Sequence, residues 1–232
     1  VDNDELRRAF DRQARSYDKQ WSRMAPINDG MFFLLDAVLA SLPGDARILC
    51  VGVGTGTELI HLAMAFPGWT FTAVDPSTSM LDICRQRVGE LGLSGRCVFH
   101  EGYIDSLPEG EHYDAATCFL VSQFILDARA RTQFFGQIAS RLVPGGMLAT
   151  SDLSTDMESP DYDALLPVWQ RVMTPSSDSA AALERMREGY ARDVAILPSA
   201  AVASIIESAG FDPPVRYFQA ALICGWFARR SP

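Results

Sequence analysis

The residues best suited to chemistry gather in the first half of the chain. Gly52, Gly54 and Gly56 stand at alternate positions in "ILCVGVGTGTELIH", residues 48–61, between an apolar run and a helix-like stretch. Glycine there lets backbone approach a ligand closely and take positive φ without penalty. The helix that follows adds unpaired N–H groups at its start. The next apolar run ends in Asp75, nineteen residues after Gly56. At the tip of a neighbouring strand, a carboxylate can accept hydrogen bonds from both hydroxyls of a ribose. The dinucleotide pattern G-x-G-x-x-G is not met, because Thr57 takes the place of its third glycine. The spacing predicts a loop for an adenosyl group without a pyrophosphate. The other reading of Asp75 is a strand-end cap.

Other reactive residue types form no grouping. His61, His100 and His112 lie apart, and each reads as a structural or surface histidine. The five cysteines (Cys50, Cys84, Cys97, Cys118, Cys224) form no C-x-x-C pair and have no histidine at metal spacing. All but Cys84 sit in apolar, strand-like runs, where a free thiol packs as a small hydrophobe. No metal site is expected.

These residues need a frame, and the hydrophobic rhythm supplies one. Residues 4–24 and 28–42 read as amphipathic helices; in the second, Met31, Leu34, Leu35, Val38 and Leu42 recur at helical spacing. From Ala46 to Leu153 the strand-like runs 47–53, 70–75, 97–102, 115–120 and 147–153 alternate with helical stretches at 56–65, 78–91 and 128–142. Strands apolar on both faces and joined by helices imply a parallel sheet covered on both sides. "VPGG" (143–146) stops a helix and turns into the next strand. Residues 156–197 break the alternation with two helical pieces interrupted by "TPSSDS". Insertions at the carboxyl ends of strands tend to carry specificity. A helix at 199–209 and two strands, "VRYFQA" and "LICGWFAR", complete the chain. So short a connection demands an antiparallel hairpin.

The chain has 232 residues, 48% hydrophobic and 21% charged, enough for a sizeable core. The opening "VDNDELRRAF" lacks a signal-peptide layout, and the longest apolar stretch, "MFFLLDAVLASL", is broken by Asp36 and too short for a bilayer. A cytoplasmic protein without membrane contact is expected. The net charge of −9 disfavours direct nucleic-acid binding.

"ILCVGVGTG", "AVDPSTSML", "HEGYIDSLP", "YDAATCFLVSQFI" and "RLVPGGMLATSD" together resemble the class I S-adenosylmethionine-dependent methyltransferases. The opening "FDRQARSYD" and the closing hairpin extend the likeness over about residues 10 to 230. It implies an α/β, Rossmann-like sheet of seven strands, mostly parallel with one antiparallel edge strand, with helices on both faces. It also implies one domain over 1–232: a helical lid (1–45), a cofactor-binding core (46–155), a helical insertion (156–197) and a final helix with hairpin (198–232). Within the family, "VSQFI", "VPGGMLATSD" and the tail are similar to the carboxy-S-adenosylmethionine synthases linked to tRNA wobble uridine. Ungapped matching sets that group's cofactor-carboxylate arginine at Gly189, between Arg187 and Arg192, so plain S-adenosylmethionine is the default.

The resemblance implies that Gly52, Val53, Gly54, Gly56, Asp75 and Pro76 hold the tail and sugar of S-adenosyl-L-methionine, with S-adenosyl-L-homocysteine as product. Met80 and Ile104 would flank the adenine, the Tyr103 phenol or the Ile104 backbone N–H would meet its edge, and Phe119 would wall the sulfonium. Cys50 stands where the family usually carries an acid, and Tyr103 where it tends to carry aspartate. Tyr17 and Trp21 read either as lid residues or as helix packing. Asp152 is the candidate carboxylate for a base or substrate anchor, with Tyr17 as the other catalytic candidate. Trp21, Gln123, Trp169 and Arg187 are the candidate substrate contacts. The expected activity is methyl transfer to a small molecule by direct displacement. Two alternatives stand beside it: carboxylated-cofactor or tRNA-linked chemistry, and a protein that binds the cofactor without turnover. The exposed insertion could support a homodimer.

Overall fold

The computed structural model describes residues 3–110, 112–174 and 179–232. Residues 175–178, inside the predicted "TPSSDS" break, lie outside the described residues. The strands are β1 (Arg47–Val51), β2 (Thr70–Asp75), β3 (Cys97–Glu101), β4 (Tyr113–Phe119), β5 (Leu142–Leu153), β6 (Val215–Ala220) and β7 (Ile223–Arg229). They form one sheet in the order β3-β2-β1-β4-β5-β7-β6. Neighbours among β1 to β5 pair in parallel, and β7 runs antiparallel to both β5 and β6. The α/β, Rossmann-like fold expected from the sequence is therefore the one observed. The hairpin closes one edge of the sheet, with β6 outermost and the reversed β7 one place in.

The helices are α1 (Asn3–Trp21), α2 (Ala25–Leu39), α3 (Thr57–Ala65), α4 (Thr78–Glu90), α5 (Ala128–Arg141), α6 (Pro160–Met173), α7 (Ala180–Asp193) and α8 (Ser199–Ser208). α2 starts three residues before the predicted 28, because Pro26 suits the first turn of a helix, where its missing N–H is not needed. None of the described helices is long and apolar enough to cross a membrane.

Strand alternation sorts the core into two layers. Ile48, Cys50, Ala73, Ala115 and Ala149 face α2, α3 and α4, where Leu35, Leu59 and Leu81 meet them. Leu49, Val51, Val74, Ala116, Cys118 and Leu148 face α5 and α8, against Phe135, Ile138, Val202 and Ile206. Each fully buried Leu, Ile, Val or Phe contributes about 1.5–3 kcal/mol. A third cluster packs the insertion through Tyr162, Leu166 and Trp169 onto Met24, Leu222 and Ile223. All five cysteines are unpaired. Burial pushes the Cys50 thiol well up, so it packs as a neutral group.

Candidate functional site

The glycine loop folds as its spacing requires. β1 ends at Val51, and the amides of Gly52 and Val53 both donate to the Val74 carbonyl, at 2.8 and 3.1 Å. Gly52 has φ +69°, and a Cβ there would stand 2.4 Å from a methyl of Val121. Any side chain would force the loop after β4 off the loop after β1. Gly54, at φ +55°, has no atom within 4 Å of where its Cβ would be. Its amide donates to Asp75 Oδ2 at 2.8 Å.

Asp75 Oδ1 accepts the Ser77 amide at 2.8 Å. Burial pushes the Asp75 carboxyl up to about 6, against the pull of the Ser77 and Gly54 amides. Ser77 in turn caps α4, its hydroxyl accepting the Met80 amide at 3.2 Å, which sets Met80 in the first helical turn. The "D-x-S-x-x-M" element thus fixes an acid and a thioether side by side at the carboxyl ends of the strands.

These residues open onto a cavity of about 740 Å³, within the ~300–1,000 Å³ range of small-molecule sites. Gly52, Gly54, Asp75, Pro76, Met80, Tyr103, Ile104 and Phe119 all line it, and so does Tyr17. Bare backbone at Gly54, a buried acid and two apolar side chains suit an adenosyl amino acid, so the residues present fit S-adenosylmethionine. Val53 and Gly56 do not line the cavity. The Val53 side chain packs in the core, while Gly56 caps α3 with its α-carbon side against Cys84. The Tyr103 hydroxyl donates to the Asn3 carbonyl at 3.2 Å and ties that loop to α1.

Of the predicted catalytic and substrate residues, Tyr17 lines the cavity and Asp152, Trp21, Gln123, Trp169 and Arg187 do not. Asp152 is fully buried, 2.9 Å from the guanidinium of the equally buried Arg131. Its oxygens also accept the Ser122 hydroxyl at 2.7 Å and the Gln123 amide at 2.9 Å. Asp152 is therefore structural: its carboxylate holds the loop after β4 and does not reach the cavity. Gln123 belongs to the same network, its side-chain oxygen accepting the Leu153 amide at 2.7 Å. Trp169 is buried in the insertion and donates its indole N–H to the Tyr190 hydroxyl at 2.6 Å. Arg187 pairs with Asp163 at 2.9 Å and lies over the Tyr162 ring. Trp21 packs on the insertion cluster and, at 5.7 Å between centroids, on Tyr17. Burial, reinforced by Asp75, Glu58 and Asp18, pushes the Tyr17 phenol up to about 12, so at neutral pH it keeps its proton. His61 is engaged with Asp36 at 2.8 Å, and His100 with the Ser106 hydroxyl at 2.9 Å.

Sequence reasoning missed the depth to which α1 enters the site. Asn3, Leu6, Arg7 and Phe10 line the cavity, and the Phe10 ring meets Phe124 edge-on at 5.6 Å. Two carboxylates dock the helix on both cofactor-side loops. Asp11 accepts the Ser77 hydroxyl at 2.6 Å and the Ser79 amide at 3.2 Å. Asp18 accepts the Thr55 hydroxyl at 2.7 Å and pairs with Arg87 at 3.3 Å. The available signal was the spacing: Asp11 and Asp18 are seven residues apart and so share a helix face.

Comparison with known proteins agrees with this geometry. Residues 48–146 match the profile of a methyltransferase domain. The chain is 30% identical over 152 residues to a ubiquinone/menaquinone biosynthesis C-methyltransferase of Syntrophotalea carbinolica, covering 65% of this chain and 62% of that one. It is 27% identical over 161 residues to a malonyl-[acyl-carrier protein] O-methyltransferase of Halalkalibacterium halodurans, covering 67% and 57%. An O-methyltransferase family protein from Burkholderia thailandensis superposes with a TM-score of 0.62 at 20% identity, covering 96% of this chain and 64% of that one. The chain spans between 20% and 62% of the length of the curated relatives it matches. Glycine loop, acidic strand end and strand order agree with the match of residues 48–146 to a methyltransferase domain, and the fold is the one shared by the methyltransferase structures it resembles.

Proposed function

We propose that the chain is a methyltransferase that moves a methyl group from S-adenosylmethionine to a small-molecule acceptor by direct displacement. The observation that carries this reading is Asp75, buried at the end of β2, holding the Gly54 amide at 2.8 Å on the wall of the cavity. Each of its oxygens keeps a further lone pair for a ribose hydroxyl. Met80 and Ile104 offer apolar faces to a flat base, and Phe119 offers a ring face to a cation.

When bound, the cofactor supplies an electrophilic methyl group on a sulfonium. The protein's task is then to align acceptor, methyl carbon and sulfur and to exclude water. Gly52 lets the loops after β1 and β4 close on one another, while α1 and Phe119 shield the reacting centre. With Asp152 sealed behind Arg131 and the Tyr17 phenol held protonated, the reading favours acceptors whose attacking atom needs no proton removed first.

Plain S-adenosylmethionine is favoured over a carboxylated form. Gly189 lies on α7 away from the cavity, and the flanking arginines are committed, Arg187 to Asp163 and Arg192 to Asp193. Unpaired, buried thiols such as Cys50 suit the reducing cytoplasm. Calorimetric titration with S-adenosylmethionine and S-adenosylhomocysteine tests the proposal. Both should bind, and Asp75→Asn should weaken both by about tenfold or more. A parent protein that binds neither compound refutes it.

A further inference from the structure

The cavity extends beyond the wall assigned to the cofactor. The glycine loop, Asp75, Met80 and Ile104 make one stretch of that wall; α1, α5 and the loop between β4 and α5 make the rest. On α1, Asn3, Leu6, Arg7 and Phe10 recur at spacings of three and four, so they share one helical face. On α5, Ala130, Gln133, Phe134 and Gln137 do the same. Both faces border the one cavity as a slot, which Phe124, Ile125 and Leu126 line from the connecting loop. That loop reaches back through Val121 and Leu120 to Phe119, so the slot is continuous with the place assigned to the sulfonium. Along α5, from Ala130 to Gln137, it runs for about 10 Å.

The slot is apolar and incompletely covered. Leu6, Phe10, Phe124, Ile125 and Phe134 are each half-buried, and Leu126 is 45% exposed. Apolar side chains gathered on an open wall mark a binding groove. The polar ties of α1 hold it to the opposite side: Asp11 holds Ser77, Asp18 holds Thr55, and the Asn3 carbonyl accepts the Tyr103 hydroxyl. Toward α5 the contact is the Phe10–Phe124 ring pair. Charge narrows the occupant further. Arg7 is the one lysine, arginine or histidine among the described residues of the cavity wall, and Asp4 and Asp11 engage it at 3.5 and 3.6 Å. Asp105 and Asp127 add negative charge to the wall, and the exposed Gln133 and Gln137 are neutral. A phosphate or carboxylate would meet net repulsion there, whereas a neutral hydrocarbon meets six large apolar side chains.

We infer that the slot between α1 and α5 receives an uncharged hydrocarbon tail of the methyl acceptor, whose reacting head lies at Phe119. The inference rests on the function proposed above and names the class of its substrate. Its test is calorimetric titration with straight-chain alcohols from butanol to octanol, in saturating S-adenosylhomocysteine. Affinity should rise about threefold to fourfold with each added methylene and level off once the chain outgrows the slot. Octanoate should bind more weakly than octanol. Ala130→Leu and Ala130→Trp fill the slot from the first turn of α5, where the backbone amide of residue 130, not its side chain, makes the cap bond to Asp127. The leucine should shorten the rise with chain length and the tryptophan should abolish most of it. Both variants should bind S-adenosylhomocysteine within about twofold of the parent, which also reports that they are folded. Affinity independent of chain length overturns the inference, and so does an unaltered rise in both variants or octanoate binding more tightly than octanol. A matching loss of S-adenosylhomocysteine in the variants overturns it too, by giving the slot to the cofactor's base. A parent chain that binds S-adenosylhomocysteine without chain-length dependence loses only the slot assignment. One that binds no S-adenosylhomocysteine loses the cofactor site and this inference together.

Discussion

Arg131→Met is the substitution whose outcome the structure constrains most tightly. Arg131 and Asp152 are both fully buried and lie 2.9 Å apart. Arg131 also donates from Nε to the Ser122 hydroxyl at 2.9 Å and from Nη1 to the Ala195 carbonyl at 3.1 Å. Methionine fills much of the arginine stem's volume, so the loss is chiefly electrostatic: Asp152 is left buried without a cation. Breaking a buried pair from one side costs about 3–5 kcal/mol. In a chain of this size each kcal/mol moves the melting temperature by about 2–4 °C, so the drop should be about 6–20 °C. Burial already holds the Asp152 carboxyl above its ordinary value while Arg131 pulls it down. Without Arg131 the carboxyl rises further, takes up a proton on folding, and makes the variant's deficit larger at pH 8 than at pH 5. Removing the stranded charge as well, in Arg131→Met/Asp152→Leu, should recover much of the loss. Thermal melts followed by circular dichroism at both pH values read all of this. A single variant less than about 1 kcal/mol below the parent, or a double variant no better than the single, refutes the assignment of Asp152 to structure.

Two further outcomes follow from the loops. Gly52→Ala places a Cβ 2.4 Å from Val121 at φ +69°; it should cost about 1–3 kcal/mol, and Val121→Ala added to it should relieve the clash but not the backbone strain, read as a partial recovery in melting temperature. The protein without ligand should be more stable at pH 6 than at pH 8, because Glu58, pushed up to about 8, holds a proton in the fold that the unfolded chain releases above about 4.5. The difference is about 2 kcal/mol; Glu58→Gln should flatten it, and a parent chain equally stable at both values would show that Glu58 is ionised in the fold.

The frame and the geometry of the glycine loop against Asp75 were legible in the sequence because each rests on a local rule. Ile48 and Cys50 against Leu49 and Val51 spell out a strand buried on both faces, and the glycines with Asp75 occupy positions that short-range backbone geometry dictates. The burial of Asp152 was not legible for a physical reason: a carboxylate at the end of a parallel strand looks the same in sequence whether it faces a cavity or a buried arginine. Its partner Arg131 is 21 residues away on an otherwise ordinary amphipathic helix, and only the fold brings them together.

The two carboxylate clasps of α1 make the amino-terminal helix and the ligand thermodynamic partners. Asp11 grips Ser77, whose amide holds Asp75, and Asp18 grips Thr55 inside the glycine loop. Whatever the ligand gains from well-placed loops is returned as tighter docking of the helix, and the exchange is reciprocal. A protease that nicks the first twenty residues, or a partner that draws them away, would loosen nucleoside retention twice over, by opening the wall that Leu6, Phe10 and Tyr17 form and by freeing the loops at Ser77 and Thr55.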